Sequence, residues 1–252
     1  MRTGRPELPA AYELVEIEES DDLRRLAAGM ACDGRREGTL IWLKRQLSGR
    51  GWDDSPWYSQ EGDLHCAVLL EPEFERRRYG EIILVAAVSL GNALALHLSP
   101  MIALGYDWPD RLVIANHVVG RIWAECGHHP KPWLSVSCSV NLLDSPEDYS
   151  ISAISVREAE GTTELDAGTL LQSFAREFIT GINAWSEEGM PSLVDKWRIR
   201  GNRPGTPCTV GALSGTVRGI DEAGNLLVEA EAGHQEKLVL ESRVREFTER
   251  TQ

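Results

Sequence analysis

The sequence predicts an α+β fold: a mixed β-sheet packed with helices, followed by a small β module. Three observations point there. Residues 82–98 and 169–188 carry apolar side chains at three- and four-residue steps, the period of a helix with one buried face. Between and before them lie short runs that alternate apolar and polar, or are apolar throughout, as strands do. After Gly201 the helical period stops, and four strand-like runs follow at 208–213, 215–220, 226–230 and 237–240. A chain of 252 residues suits one larger domain and one small one, placed here at 1–203 and 204–252.

Taken in order, residues 1–10 are rich in Pro and Arg and read as irregular. Residues 12–17 alternate apolar and acidic and predict a strand. Ser20 and Asp21 are cap residues for a helix over 22–31, with acids in the first turn where the helix dipole favours them. A strand at 39–43 runs into a loop at 48–52, and the apolar run 64–70 suits a strand buried on both faces. The helix at 82–98 rests on Ile83, Ala86, Ala87, Leu90, Leu94 and Leu98, and Pro100 stops it. Residues 112–114 and 118–123 flank a turn at Asn116-His117 and predict a hairpin. Val136, Cys138, Val140 and Leu142 alternate with Ser135, Ser137, Ser139 and Asn141, a strand with one apolar face. Ile151, Ile154 and Val156 suggest an edge strand in an acidic stretch. The helix at 169–188 closes at Gly189, and Pro191 opens a third helix through Trp197. In the C-terminal unit 221–225 is a tight turn, and the four short strands predict a small barrel.

Composition bounds the partners. With 26 basic and 39 acidic residues the formal net charge is −13, a field that repels nucleic acid. The one basic run, Arg76-Arg77-Arg78, sits beside Glu71, Glu73 and Glu75 and reads as a solvated loop. No stretch approaches the ~18 apolar residues of a membrane span, so no membrane partner is expected. The five cysteines are odd in number, scattered, and form no C-x-x-C, which predicts free thiols in a reducing, cytoplasmic setting.

Two loops carry the functional argument. Gly49-Arg50-Gly51 is followed, five residues later, by Trp57-Tyr58-Ser59; Asp107-Trp108-Pro109-Asp110-Arg111-Leu112 is followed by a hairpin bearing Gly120. These motifs, in this order and ahead of a C-terminal β unit, resemble the biotin/lipoate protein ligase family over about residues 12–247. The resemblance implies a catalytic-type α+β domain followed by an SH3-like barrel. It implies a biotin-, lipoate- or acyl-type carboxylate or its adenylate as ligand, and ATP with Mg²⁺ as cofactors of an active enzyme. It also implies a biotinyl or lipoyl carrier domain as partner, and a homodimer as in some members.

The same resemblance assigns Gly49, Arg50, Gly51, Trp57 and Ser59 to a loop that wraps the adenylate. Glycine lets the backbone approach a phosphate, and arginine supplies forked donors. It assigns Trp108, Pro109, Asp110 and Gly120 to the pocket wall, and Asn141 to the strand that floors it. Several family cations are replaced: Trp52 and Ser55 stand where arginines are expected, Asp107 where a lysine is, and Asp54 and Asp110 replace neutral residues. The catalytic Lys falls at His117 or Val118. At ~4 Å and an effective dielectric of ~20 each charge contact is worth about 4 kcal/mol, so the expected pocket is cation-poor and adenylation weak. The sequence therefore leaves two readings, a divergent ligase or acyltransferase and a binding protein of the same fold. His117 is read as a base or substitute cation, since imidazole titrates near neutral pH, or as an exposed turn residue. Asp53, Asp54, Asp107 and Asp110 are Mg²⁺ ligands or loop carboxylates. Cys138 is an acyl-accepting thiol or a core residue. His128-His129 read as solvated.

Overall fold

The structure, a computed structural model, describes residues 5–50, 56–57, 59–145, 152–161, 164–211, 213–230 and 233–247, with the backbone alone at 50, 56 and 57. Strand β1 (Glu13–Ser20) and strand β2 (Thr39–Gln46) pair in parallel, joined by helix α1 (Leu23–Cys32), since parallel neighbours need a crossover. Asp22 caps α1: its Oδ1 accepts from the backbone N–H of Arg24 at 2.8 Å and of Arg25 at 3.4 Å. A two-stranded ribbon follows, β3 (Gly49–Arg50) with β4 (Pro56–Trp57). Strand β5 (Leu64–Leu70) lies antiparallel to β2, and helix α2 (Glu81–Ala95) comes next. Strands β6 (Leu104–Asp107), β7 (Arg111–Ile114), β8 (His117–Gly127) and β9 (Trp133–Val140) form an antiparallel meander. The sheet order is β1-β2-β5-β9-β8-β7-β6.

Helices α3 (Val156–Glu160), α4 (Ala167–Glu188) and α5 (Met190–Arg198) complete the helical layer. The alternate residues Cys66, Val68, Ile122, Ala124, Val136, Cys138 and Val140 meet α2 and α4 in the main core. The stretch Arg76–Ala95 does have the length and mean apolarity of a bilayer span, contrary to the sequence expectation. Its apolar surface is spent on the sheet and α4, as in a core helix buried all round. On the opposite face α1 presents Leu23, Ala27, Ala28 and Ala31 to Ile41, Leu43, Ala67, Leu69 and Trp133.

Strands β10 (Pro207–Val210), β11 (Leu213–Ile220), β12 (Leu226–Ala230) and β13 (Gln235–Leu238) make a separate four-stranded antiparallel sheet. Its outer strands are not paired to each other among the described residues, so the expected barrel is an open sheet. The chain then returns: β14 (Val244–Glu246) pairs in parallel with β8, Val244 opposite Ala124 and Glu246 opposite Cys126. Residues 244–246 thus belong to the large sheet.

Two local expectations change. The predicted turn sits one residue earlier, at Ala115 and Asn116, both left-handed with φ of 50° and 67°, so His117 opens β8. The predicted edge strand near 151–156 is a single bridge from Ala153 to Val118, followed by α3. Ser155 and Glu158 close a reciprocal capping box there, and those side-chain bonds favour helix over strand.

Candidate functional site

Strand register sets rows of side chains on the α1 face of the large sheet. His65 of β5 lies opposite Ser139 of β9, Ser139 opposite Arg121 of β8, and Arg121 opposite Arg111 of β7. The next rows are Ala67–Ser137–Trp123 and Leu69–Ser135–Glu125. Directly paired residues share a face and stand within contact distance. These polar residues are covered: His65 is 0% exposed, Ser135, Ser137 and Ser139 are 1%, and Arg121 is 3%. The serine side of β9 is therefore an interior surface.

His65 Nδ1 lies 2.9 Å from Ser139 Oγ, while His65 Nε2, Ser135 Oγ and Ser137 Oγ have no hydrogen-bond partner. Burial pushes the His65 pKa down to about 4, so the imidazole is neutral at pH 7. Beneath the row, Arg24 of α1 bridges Asp22 at 3.5 Å and Glu125 at 3.7 Å. Burial pushes the Glu125 carboxyl up, and Arg24 opposes it. Buried polar atoms left without partners are rare in proteins, and a group of them on one face marks a place for a ligand or ordered water.

The β6–β7 hairpin closes one end. Trp108 is buried; its Nε1 donates to the Gly224 carbonyl at 2.9 Å and its backbone N–H to Asn202 Oδ1 at 2.8 Å. Asp107 accepts from Arg111 Nη1 at 3.2 Å and Asn202 Nδ2 at 3.0 Å. Asp110 Oδ2 accepts from Arg121 Nη2 at 3.5 Å. Two guanidinium groups side by side repel, and each has its own aspartate. Asp107 and Asp110, read from the sequence as Mg²⁺ ligands or loop carboxylates, thus each answer an arginine. Among the described residues no three His, Cys, Asp or Glu side chains converge as a metal site.

Other expected residues are placed as follows. The backbone sets Gly49 opposite Trp57 and Arg50 opposite Pro56; the side chains of Arg50 and Trp57, and all of Gly51, Asp53 and Asp54, lie outside the described residues. Ser59 Oγ accepts from Gln46 Nε2 at 3.0 Å, and Gln46 Oε1 accepts from the Leu23 N–H at 2.8 Å. Gln46 was not anticipated; a polar residue three positions ahead of Gly-Arg-Gly, closing an apolar strand, is the signal that marks it. Gly120 is opposite Val140, and a Cβ there would stand 3.0 Å from the Ser139 carbonyl oxygen, a tight strand contact that favours glycine. Asn141 is buried at the end of β9; its Nδ2 donates to the Ile154 carbonyl at 3.4 Å, and its Oδ1 has no partner.

His117 stands apart from the row. It is exposed at the start of β8 and contacts Ser152 Oγ. Its neighbour Val118 packs with Trp123 on the α1 face, so alternation turns His117 to the other side. Cys138 faces Cys66 in the helix-side core, and burial pushes its thiol pKa well up, which keeps it protonated and a poor nucleophile. His128 is exposed beside Arg76 and Glu246. All four lysines are paired elsewhere: Lys44 with Glu16, Lys131 with Glu71, Lys196 with Glu188 and Lys237 with Asp221. The buried cation in the row is Arg121, with Arg111 beside it, and sequence reasoning did not single out Arg121.

A family model described as the biotin/lipoate A/B protein ligase family matches residues 54–199, more than half of the chain. The chain belongs to the biotin/lipoate A/B protein ligase family. The biotin protein ligase C-terminal domain model matches residues 208–239. Among members of this ligase family, the bifunctional ligase/repressor BirA of Bacillus spizizenii is 25% identical over 221 residues, covering 83% of this chain and 67% of that protein. The biotin–[acetyl-CoA-carboxylase] ligase of Paracoccus denitrificans is 26% identical over 208 residues, 77% of this chain and 85% of that one. Two solved structures share the fold. A biotin protein ligase-like protein from Silicibacter sp. aligns with a TM-score of 0.78 and 22% identity, over 95% of this chain and 99% of that one. The Aquifex aeolicus biotin protein ligase, in complex with biotin and ATP, aligns with a TM-score of 0.75 and 23% identity, over 90% and 95%.

Proposed function

We propose that this ligase-family chain binds a small carboxylic acid of the biotin, lipoate or acyl type, or its adenylate, on the α1 face of the large sheet, with ATP-dependent ligation weak or lost. The observation that carries the reading is the buried row His65–Ser139–Arg121. Arg121 meets Asp110 through one 3.5 Å contact, which leaves guanidinium donors for an oxyanion. Neutral His65 and the unpartnered serine hydroxyls supply directional hydrogen bonds to a polar head group. The relatives' biotin and ATP give the ligand class, and the Paracoccus relative's carboxylase target supports a carrier domain as partner.

Making an acyl-adenylate requires cations around the phosphate and the departing pyrophosphate. No lysine enters the row, Asp110 offsets Arg121, and Asp107 is paired with Arg111. Binding therefore survives this set of side chains better than turnover does. A second reading keeps the ligase reaction, and Arg121 is the observation in its favour, because it returns one positive charge to the sheet.

The deciding experiment has two measurements on the purified full chain. Calorimetric titration with biotin, lipoate and octanoate is expected to show saturable binding of one acid, weakened roughly tenfold by Arg121→Ala. Pyrophosphate release from ATP in the presence of each acid is expected to stay at background. Sustained release with any of them replaces the binding reading with the ligase one, and no acid binding removes both.

A further inference from the structure

We propose that Asp63 is a positioning residue: its carboxylate locks the end of the Gly-Arg-Gly loop to the corner of β9 that carries Asn141, so that the two move as one unit. Asp63 stands just ahead of β5 and is 2% exposed. Its Oδ2 accepts from the Gln60 N–H at 3.0 Å, one residue beyond Ser59. Its Oδ1 accepts from the Leu142 N–H at 2.8 Å and the Leu143 N–H at 3.5 Å, some 79 residues further along the chain. Gly62 brings the turn close to the same corner: with φ of +101°, a Cβ there would stand 2.6 Å from Leu143 Cδ1.

The corner carries more than the lock. The N–H groups of Val156 and Arg157, in the first turn of α3, donate to the carbonyls of Asn141 and Leu142 at 3.0 Å, and Ser155 Oγ donates to the Leu143 carbonyl at 3.1 Å. Three segments therefore meet through one side chain: the turn 60–63, the end of β9 and the start of α3. A local turn is closed as well by asparagine, so the turn alone does not call for a buried carboxylate, which is costly to desolvate. Acceptors aimed both ways do call for one. A carboxylate offers two oxygens, whereas an amide or a protonated carboxyl turns one of them into a donor and can hold Gln60 or Leu142 but not both. Burial pushes the Asp63 carboxyl up, the three N–H groups oppose that, and the carboxylate of Asp144, itself paired with Arg157, adds to the rise. The lock rests on geometry alone; what it positions rests on the acyl-acid reading, which places Ser59 and Asn141 at the ligand.

The test compares the full wild-type chain with Asp63→Asn in two measurements. Without ligand, hydrogen exchange in the variant is expected to accelerate roughly tenfold over 59–63, 141–143 and 155–157 together, and to stay unchanged in α2 and α4. Acceleration in only one of the three segments, in none, or throughout the chain overturns the lock. Calorimetric titration with biotin, lipoate and octanoate is expected to show roughly tenfold weaker acid binding by the variant at pH 7. That gap should narrow at about pH 4.5, where the wild-type carboxyl gains a proton and is left, like the amide, with one acceptor fewer. Equal affinity at pH 7, or a gap that does not change with pH, overturns the positioning role. Should Asp63→Asn unfold, Gly62→Ala drives a Cβ against Leu143 while keeping the carboxylate; the same exchange pattern is expected, and wild-type exchange there overturns the proposal. A wild-type chain that binds none of the acids removes the acyl-acid reading, and the exchange pattern then decides the lock by itself.

Discussion

His65 has no ionised neighbour to offset its burial, and its pKa falls to about 4 in the folded chain. The unfolded value is about 6.5, so the unfolded chain binds the extra proton between those limits. The His65 contribution is complete above about pH 6.5 and is lost as pH falls toward 4, amounting to about 2 kcal/mol between pH 7 and pH 5. Urea unfolding at those two pH values is expected to show this loss in the wild type and not in His65→Gln. Equal losses in both would mean that the folded imidazole is already charged. The comparison cancels the opposite effect of Asp63 and Glu125, whose carboxyls burial pushes up. Asp110 gives a second prediction. Asp110→Asn restores the residue type expected of the family, yet it strips the buried Arg121 of its carboxylate. Because the Asp110 side chain is 16% exposed, the cost is set below that of a fully buried pair, at about 1–3 kcal/mol. A lower urea midpoint in Asp110→Asn is the expected result, and an unchanged one would mean that Arg121 does not need its partner.

At the scale of elements, the β6–β7 hairpin reaches the C-terminal sheet through the Trp108 Nε1–Gly224 bond. Trp108→Phe keeps an aromatic ring and removes that bond, for an expected loss of about 1 kcal/mol. Hydrogen exchange should accelerate at β11 and β12 and stay unchanged at β5 and β9; uniform acceleration would contradict a local role. The helices α2 and α4 were legible in the sequence because a 3.6-residue apolar period over four or more turns has no competing reading. Strands β5 and β9 were legible as elements, but alternation at Ser135, Ser137 and Ser139 separates two faces without saying which one meets water. Arg121 was hidden for a sharper reason. Its face is set by a bulge at Val119, where Leu112 pairs with Gly120 but Val113 with Val118. Plain alternation from Val118 would have turned Arg121 into the helix-side core. The Trp108-Pro109 loop and Gly120 could be named from short motifs; their partners Asn202, Arg243 and Gly224 lie too far along the chain for any local pattern to join them.

For the whole molecule, β14 returns the chain from the C-terminal sheet to the large one, which predicts that the two melt together. Val244–Glu246 pair with β8, Phe247 packs 6.0 Å from the Trp133 ring, and Glu246 binds Arg76 at 3.2 Å. Removing residues from 244 onward is expected to lower the melting temperature of the entire chain by about 5 °C, on the scale of ~2 kcal/mol for a protein of this size. Calorimetry should show one transition before and after the cut. A separate early transition confined to the C-terminal sheet would mean that β14 does not couple them. The order of synthesis adds a consequence. β14 is translated after everything it pairs with, so on the ribosome the backbone groups of Ala124–Cys126 wait uncovered while the intervening chain emerges. A nonsense codon or proteolytic nick just upstream of Val244 would release a product with a bare strand edge, primed for intermolecular strand addition.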